Sequence, residues 1–326
     1  MSPARRGSGE EPGTPKRKTP ARKKPTAPRK AAGRKPSAPR KRAAPGAFTE
    51  PAVGSTIGSY LIEAPLGRGG MGVLFRAADQ RPATKGRRVA LKVLSPSLAA
   101  DDRFRRRFER ESQMAASLDH PNIVPVFEAG EDAGVLYIAM RYVEGEDLHA
   151  YLARTGPLDP AAAIALLSQI GAALDAAHEH ALVHRDVKPA NILVVGSDGP
   201  GAPHVYLTDF GVTKHTTSRS GLTATGQFVG TVEYVAPEQI EGRELDGRAD
   251  VYSLGCVMFE CITGSPPFAR ERDAATMWAH LSEPPPSATA KRPDLPKAID
   301  AVIERALAKS PDDRYGTCGE MMDAAR

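Results

Sequence analysis

Residues 184–193 read HRDVKPANIL, so an acid (Asp186), a base (Lys188) and a carboxamide (Asn191) fall close together, just before a short apolar run. A carboxylate there can accept a proton from a hydroxyl, an ammonium can neutralise phosphate charge, and a carboxamide oxygen can hold a hard metal ion. Downstream, LTDFGV (207–212) offers Asp209 after an apolar strand. A carboxylate in that position suits magnesium, which takes few protein oxygens and fills its shell with water and phosphate oxygens. Upstream, Gly67, Gly69 and Gly72 in GRGGMG have GxGxxG spacing. Glycine lets a backbone approach phosphate where a Cβ would collide. A dinucleotide-binding fold would need a helix straight after the third glycine, and VLFRAA is strand-like instead. Lys92, in VALKVL, stands among apolar neighbours. Either it is an edge residue with its ammonium in solvent, or it touches phosphate while paired to a carboxylate. Glu111 on the following helix can supply that carboxylate.

These residues need elements to carry them. YLIEAPLGRGGMGVLFRAAD (60–79) fits two strands around a tight turn, and RRVALKVLS (87–95) a third strand. RFRRRFERESQMAASL (103–118) has helical periodicity through Phe104, Phe108 and Met114, and VLYIAMRYV (135–143) is strand-like. Beyond Gly145 helices dominate. The segment 159–180 opens with Asp159 as cap and Pro160 at the first helical position. Residues 249–264 are apolar on most sides, as in a buried helix, and 296–310 are amphipathic. The layout is α+β, a small sheet-rich part followed by a larger helical one, without a solenoid repeat.

At 326 residues, 41% hydrophobic and 25% charged, the chain has room for a sizeable core. Its net charge of +5 hints at an acidic partner, but the charge is uneven. Residues 1–46 hold 15 of the 44 Lys and Arg and only Glu10 and Glu11 of the 39 acidic residues, a net of +13; the body is mildly acidic. The Lys/Arg/Pro/Ala tract at 16–45 has too little apolar surface to offset the entropy of ordering, so disorder is expected. It reads as a solvated tether or as a salt-sensitive attachment to DNA or another polyanion. GRKP (33–36) loosely resembles the core of an AT-hook. Cys256, Cys261 and Cys318 are too few and too unpatterned for a disulfide framework or a zinc motif. No signal-peptide pattern and no run of about 18 apolar residues stands out, so no transmembrane segment and a cytoplasmic location are expected.

Taken in this order, the motifs resemble those of a protein kinase of the eukaryotic-like (Hanks-type) serine/threonine class found in bacteria, over roughly residues 57–326. The resemblance implies a bilobal kinase fold: a basic tail at 1–54, a small lobe at 55–143 and a large lobe at 144–326. It implies ATP and Mg2+ as cofactors and protein Ser/Thr hydroxyls as substrates. Leu66, Gly67, Gly69, Gly72, Leu74 and Ala90 would cover the nucleotide, with Leu74 where valine is usual. Lys92 would hold phosphates and pair with Glu111. Met140 would guard the back pocket, and the backbone of Arg141 and Val143 would bond adenine, although an acidic residue is commoner than Arg141. Asp186 would accept the hydroxyl proton and Lys188 would contact the γ-phosphate. Asn191 and Asp209 would hold magnesium, and Thr231 would contact Asp186 and Lys188.

Glu238 of VAPEQ would pair with Arg314, and Asp250 would anchor the catalytic loop. His184 would be a packing residue, and the three histidines of HEHALVH no metal cluster. Arg185 would be an unpaired cation that a phosphate can neutralise, with Thr223 and Thr225 the expected autophosphorylation sites. SDGPGAP (197–203) would be a surface insertion, and the chain stops inside the last expected helix, as a compact soluble kinase or a fragment would. A transient homodimer for phosphorylation in trans is also implied. Two rivals are a catalytically dead scaffold and a nucleic-acid-binding protein centred on the tail.

Overall fold

The structure, a computed structural model, describes residues 50–196, 203–210 and 231–326. The basic tail to residue 49, most of the expected insertion, and Thr223 and Thr225 lie outside the described residues.

A six-stranded antiparallel sheet comes first. β1 (Thr56–Ile57) and β2 (Tyr60–Gly69) lead through a turn closed by Gly69 opposite Gly72 into β3 (Gly72–Asp79). β4 (Arg88–Leu94), the one-turn α1 (Pro96–Ala99) and α2 (Asp102–Ser117) follow, then β5 (Val126–Asp132) and β6 (Val135–Arg141). The strand order is β1-β2-β3-β4-β6-β5. Gly72 cannot be replaced sterically: its φ is +153°, and an added Cβ would meet the Val93 carbonyl oxygen at 2.0 Å.

Side chains alternate across β4. Val89, Leu91 and Val93 enter one apolar cluster with Ile62, Phe75 and Tyr137, while Ala90 and Leu94 pack with Phe104 and Phe108 of α2. Lys92 therefore lies on the α2 side, with Ala90. Asp101 caps α2 by accepting the N–H groups of Arg103 and Phe104, and Phe104, Phe108, Ser112 and Ala115 form its buried stripe. Strand β5 was not legible in VFEAGED. It is the edge strand, with a register shift between Val126 and Glu128, so no clean alternation marks it.

The helical part begins with β7 (Glu146–Asp147), α3 (Leu148–Thr155) and α4 (Pro160–Glu179). β8 (Ile192–Val195) and β9 (His204–Leu207) complete a second antiparallel sheet ordered β7-β8-β9. Then come α5 (Pro237–Ile240), α6 (Arg248–Thr263), α7 (Asp273–Ser282), α8 (Ala288–Lys291), α9 (Ala298–Ala306) and α10 (Cys318–Ala325). No membrane-length apolar stretch is expected from the sequence, yet α4 is long and apolar enough to cross a membrane. Its apolarity has a local reason: Leu166, Leu167, Ile170, Ala173, Leu174 and Ala177 are buried in the same core as α6 and α10. Every residue of α6 from Ala249 to Ile262 is buried.

The expected pairing of Glu238 with Arg314 is present. Two bonds of 2.6 and 2.8 Å join them, both side chains are almost wholly buried, and Arg314 also donates to the carbonyls of Arg248, Ala308 and Lys309. Removing one partner of such a pair strands a buried charge. Arg314→Ala should lower unfolding free energy by about 3–5 kcal/mol in a denaturant titration. Arg314→Lys should recover little, because one ammonium cannot replace the planar fork. A loss below ~1 kcal/mol would contradict this account.

Candidate active site

The loop 184–191 is held from beneath by Asp250, a wholly buried carboxylate in α6. Its Oδ2 accepts the His184 N–H at 2.7 Å and its Oδ1 the Arg185 N–H at 2.8 Å, while His178 Nε2 lies 2.8 Å from Oδ2. Burial lowers the pKa of His178, but the bond to Asp250 and the charges of Asp250, Asp175 and Asp246 outweigh it and leave the pKa raised. Gln239 of α5 donates to the Arg185 carbonyl at 2.9 Å. Arg185 has φ +65°, a strained conformation for a side-chain-bearing residue, which these bonds sustain.

His184 is a packing residue, as expected. It is fully buried against Phe210, with ring centroids 4.8 Å apart. Its Nδ1 accepts the Asp186 N–H at 3.2 Å and its Nε2 donates to the Thr208 carbonyl at 2.9 Å, so both nitrogens are used by the neutral ring. Burial lowers its pKa, in keeping with that state.

Around Asp186 the expected side chains converge. Asn191 donates its amide to the Asp186 carbonyl and carboxylate at 2.8 and 3.1 Å, which leaves its carboxamide oxygen as the metal-competent atom. Lys188 Nζ lies 3.0 Å from Asp186 Oδ2 and 3.5 Å from Thr231 Oγ1. Asp209 has φ +61°, and its carboxylate meets Lys92 Nζ at 2.9 Å.

Two expected ion pairs are arranged differently. Lys92 pairs with Asp209, not Glu111, and Glu111 faces Arg185 at 3.6 Å. Arg185 is therefore not the unpaired cation the sequence suggested. Burial raises the Glu111 pKa against the opposing pull of Arg185, and burial lowers that of Arg185 against the pull of Glu111. The physical reason is proximity: half-buried charges take whichever opposite charge lies within reach.

Ala90 and Met140 share a cluster with Leu74, Val143 and Leu193, and Leu66, Gly67, Gly69 and Gly72 lie in the β2–β3 hairpin that also carries Leu74. The Arg141 N–H is spent on the Pro125 carbonyl at 2.9 Å. Behind Met140, a small cavity is lined by Lys92, Ala115, Val124, Ile138, Thr208 and Phe210 among others. The Thr208 hydroxyl points at the Met140 sulfur, 3.6 Å away.

Sequence reasoning missed Leu193, Gln239, His178 and Glu260. Leu193 follows Asn191 by two positions, so the strand alternation of ILVV could have placed it on the pocket side. Glu260, buried in α6, accepts a 2.5 Å bond from Tyr234 just beyond Thr231. Nothing in a helix of apolar residues marks its partner.

With this geometry in view, comparisons with known proteins agree. The protein kinase domain model matches residues 60–324. Serine/threonine-protein kinases PknE and PknH of Mycobacterium bovis are 45% and 43% identical over 272 and 273 residues. These alignments cover 83% and 84% of this chain but 46% and 44% of those proteins, so the chain spans under half the length of the curated relatives it matches. The crystal structure of the Mycobacterium tuberculosis PknI kinase domain superposes with TM-score 0.67 at 38% identity, covering 84% of this chain and 98% of that one. Rad53 in complex with AMP-PNP gives TM-score 0.66 at 27% identity, over 81% of this chain and 64% of that one. The chain belongs to the protein kinase family, in its serine/threonine branch.

Two outcomes are expected. Asp250→Asn keeps the shape but offers one acceptor oxygen, and should lower kcat about 100-fold with nucleotide affinity little changed. Unchanged kcat would show that the loop holds itself. For Glu260, burial raises the pKa from 4.5, against the bond from Tyr234 and nearby His149. The neutral form is favoured on folding, so this contribution is full below about pH 4.5 and is lost as pH rises through the folded-state pKa. The stability of Glu260→Gln relative to the parent, from urea midpoints, should therefore climb as pH rises above about 4.5, and a flat difference would refute it.

Proposed function

We propose that the chain is an ATP-dependent protein kinase that transfers the γ-phosphate of Mg-ATP to serine and threonine hydroxyls. The observation that carries this reading is the convergence of Lys188 and Asn191 on Asp186, with Thr231 reaching Lys188 and Lys92 paired to Asp209. The similarity to Rad53 in complex with AMP-PNP, an ATP analogue, supports nucleotide use here.

The nucleotide's base would lie between Leu66, Leu74 and Ala90 above and Leu193 below, beside the backbone of Arg141 and Val143. The Gly67–Gly72 hairpin would cover its phosphates. Lys92 would bind phosphate oxygens once Asp209 turns toward the metal site. Asn191 and Asp209 fit magnesium, both being hard oxygen donors, and the ion when bound neutralises charge on the phosphates. Asp186 orients the substrate hydroxyl and takes its proton as the new O–P bond forms and ADP leaves with the old bridging oxygen. Lys188 balances charge on the transferring group, and Thr231 steadies both.

Activation by phosphorylation at Thr223 and Thr225 is supported by the cation that the ion pairs leave near the loop. Arg185 Nε is buried and lacks a hydrogen-bond partner among the described residues. A phosphate on the activation segment would draw Arg185 away and free Glu111 to meet Lys92. A passing homodimer would serve transfer in trans, and a tail of net charge +13 favours polyanion contact in the cytoplasm.

Purified protein with Mg-ATP should incorporate phosphate, mapped by mass spectrometry to Thr223 or Thr225, with a lag that disappears after preincubation. Asp186→Asn should fall about 10²–10⁴-fold while still binding nucleotide. Nucleotide binding without transfer in the parent chain would favour the scaffold reading. DNA retention should fall steeply with salt and vanish on deleting residues 1–46; retention unchanged by the deletion would remove the tail's role.

A further inference from the structure

Away from the nucleotide site, one group of described residues gathers a nitrogen, a sulfur and an oxygen donor. Asp175 and His178 stand three apart on α4, hence on one face. Cys318, the first residue of α10, arrives beside them from 143 positions beyond Asp175. One ligand atom from each, a carboxylate oxygen, a ring nitrogen and Sγ, lie within 4.8 Å of one another. Cys318 is fully buried, while the side chains of Asp175 and His178 keep 26% and 17% exposure.

A second, independent feature points to a ligand. The far ring nitrogen of His178, Nε2, is held by Asp250 at 2.8 Å. That leaves Nδ1 toward Asp175 Oδ1, 3.8 Å away. A carboxylate behind an imidazole is the arrangement that fixes tautomer and ring orientation in metal-bound histidines. Asp175 is preorganised as well. Its two oxygens accept the Cys318 and Gly319 N–H groups at 2.9 and 2.7 Å, pinning the carboxylate to the start of α10 with a lone pair spare on each oxygen.

We propose that Asp175, His178 and Cys318 bind one zinc-type divalent cation, with water as the fourth ligand. The donor set decides the class of ion. Magnesium and calcium want oxygen alone, whereas a thiolate and an imidazole with one carboxylate suit zinc or cobalt. Thiolate and carboxylate together balance the ion's two charges. The thiol proton leaves to solvent as the sulfur–metal bond forms, together with any proton on Nδ1. Tetrahedral bonds of about 2.0–2.3 Å put ligand atoms about 3.3–3.8 Å apart, so the group must close by about 1 Å, within reach of side-chain rotation. The bound ion would join α4 to α10. Through His178 it would also brace Asp250, the anchor of the catalytic loop. No linear motif announces the site, because its ligands come from two helices far apart in sequence.

The test uses the full, untagged, metal-stripped chain, titrated with Co2+ without nucleotide. Saturation at one equivalent is expected, with tetrahedral visible bands and a near-ultraviolet thiolate-to-cobalt band that Zn2+ displaces. Cys318→Ser should abolish the thiolate band, and Asp175→Asn should weaken binding at least about tenfold. An oxygen-only site at Asn191 and Asp209 cannot give a thiolate band, so kinase activity plays no part in the readout. Absence of that band in the parent chain overturns the proposal without any variant having to fold. An equal band and affinity in Cys318→Ser overturns it too.

Discussion

Asp250 is a charged group placed where charge is costly. Moving a carboxylate into a helix buried on every side carries a penalty of several kcal/mol. The penalty is offset because two backbone N–H groups and one imidazole converge on its oxygens. Those two N–H groups belong to the residues directly before Asp186. The position of the Asp186 carboxylate is thus tied to α6, an element buried along nearly its whole length, and not only to the loop's own preferences. The left-handed backbone at Arg185, unfavourable by itself, persists because Asp250 and Gln239 grip it from opposite sides.

The other half of the site is built on the opposite principle. Lys92, Asp209, Glu111 and Arg185 are each partly exposed, and each faces an oppositely charged neighbour. A rigid floor and a rearrangeable ceiling divide the work. The floor holds the Asp186 loop in place, while under the proposed function the ceiling would let nucleotide, metal and covalent phosphate decide which ion pairs exist. Arg185 belongs to both, with its backbone held by Asp250 and its guanidinium facing Glu111.

How much of this was legible in the sequence follows from the physics of each feature. The loop at 184–191, Asp209 and the glycine hairpin were readable, because each is a compact motif whose chemistry depends on local spacing; the pairing of Glu238 with Arg314, 76 positions apart, came from the resemblance to kinases instead. The buried helices α4 and α6 announced themselves by composition. Strand β5 did not, since an edge strand with a register shift shows no alternation, and neither did the short helices α3 and α7. The ion-pair exchange was invisible for a different reason. Spacing can name the charges available to Lys92, but the choice between Asp209 and Glu111 depends on how α2 sits against the sheet. His178 looked like one member of a histidine run until the fold placed Asp250 behind it.

The glycine hairpin carries a last consequence. Gly67 and Gly69 face open space, with nothing within 4 Å of an added Cβ, whereas Gly72 is walled in by the backbone of Val93 and Leu94. Mutational tolerance along these few residues should therefore be governed by two separate selections. The apoprotein alone forbids a side chain at 72. At 67 and 69 the folded chain is permissive, and only a guest molecule arriving from solvent makes bareness worth keeping. A lineage that stopped using that guest would drift first at 67 and 69 and keep 72 for as long as it kept the sheet.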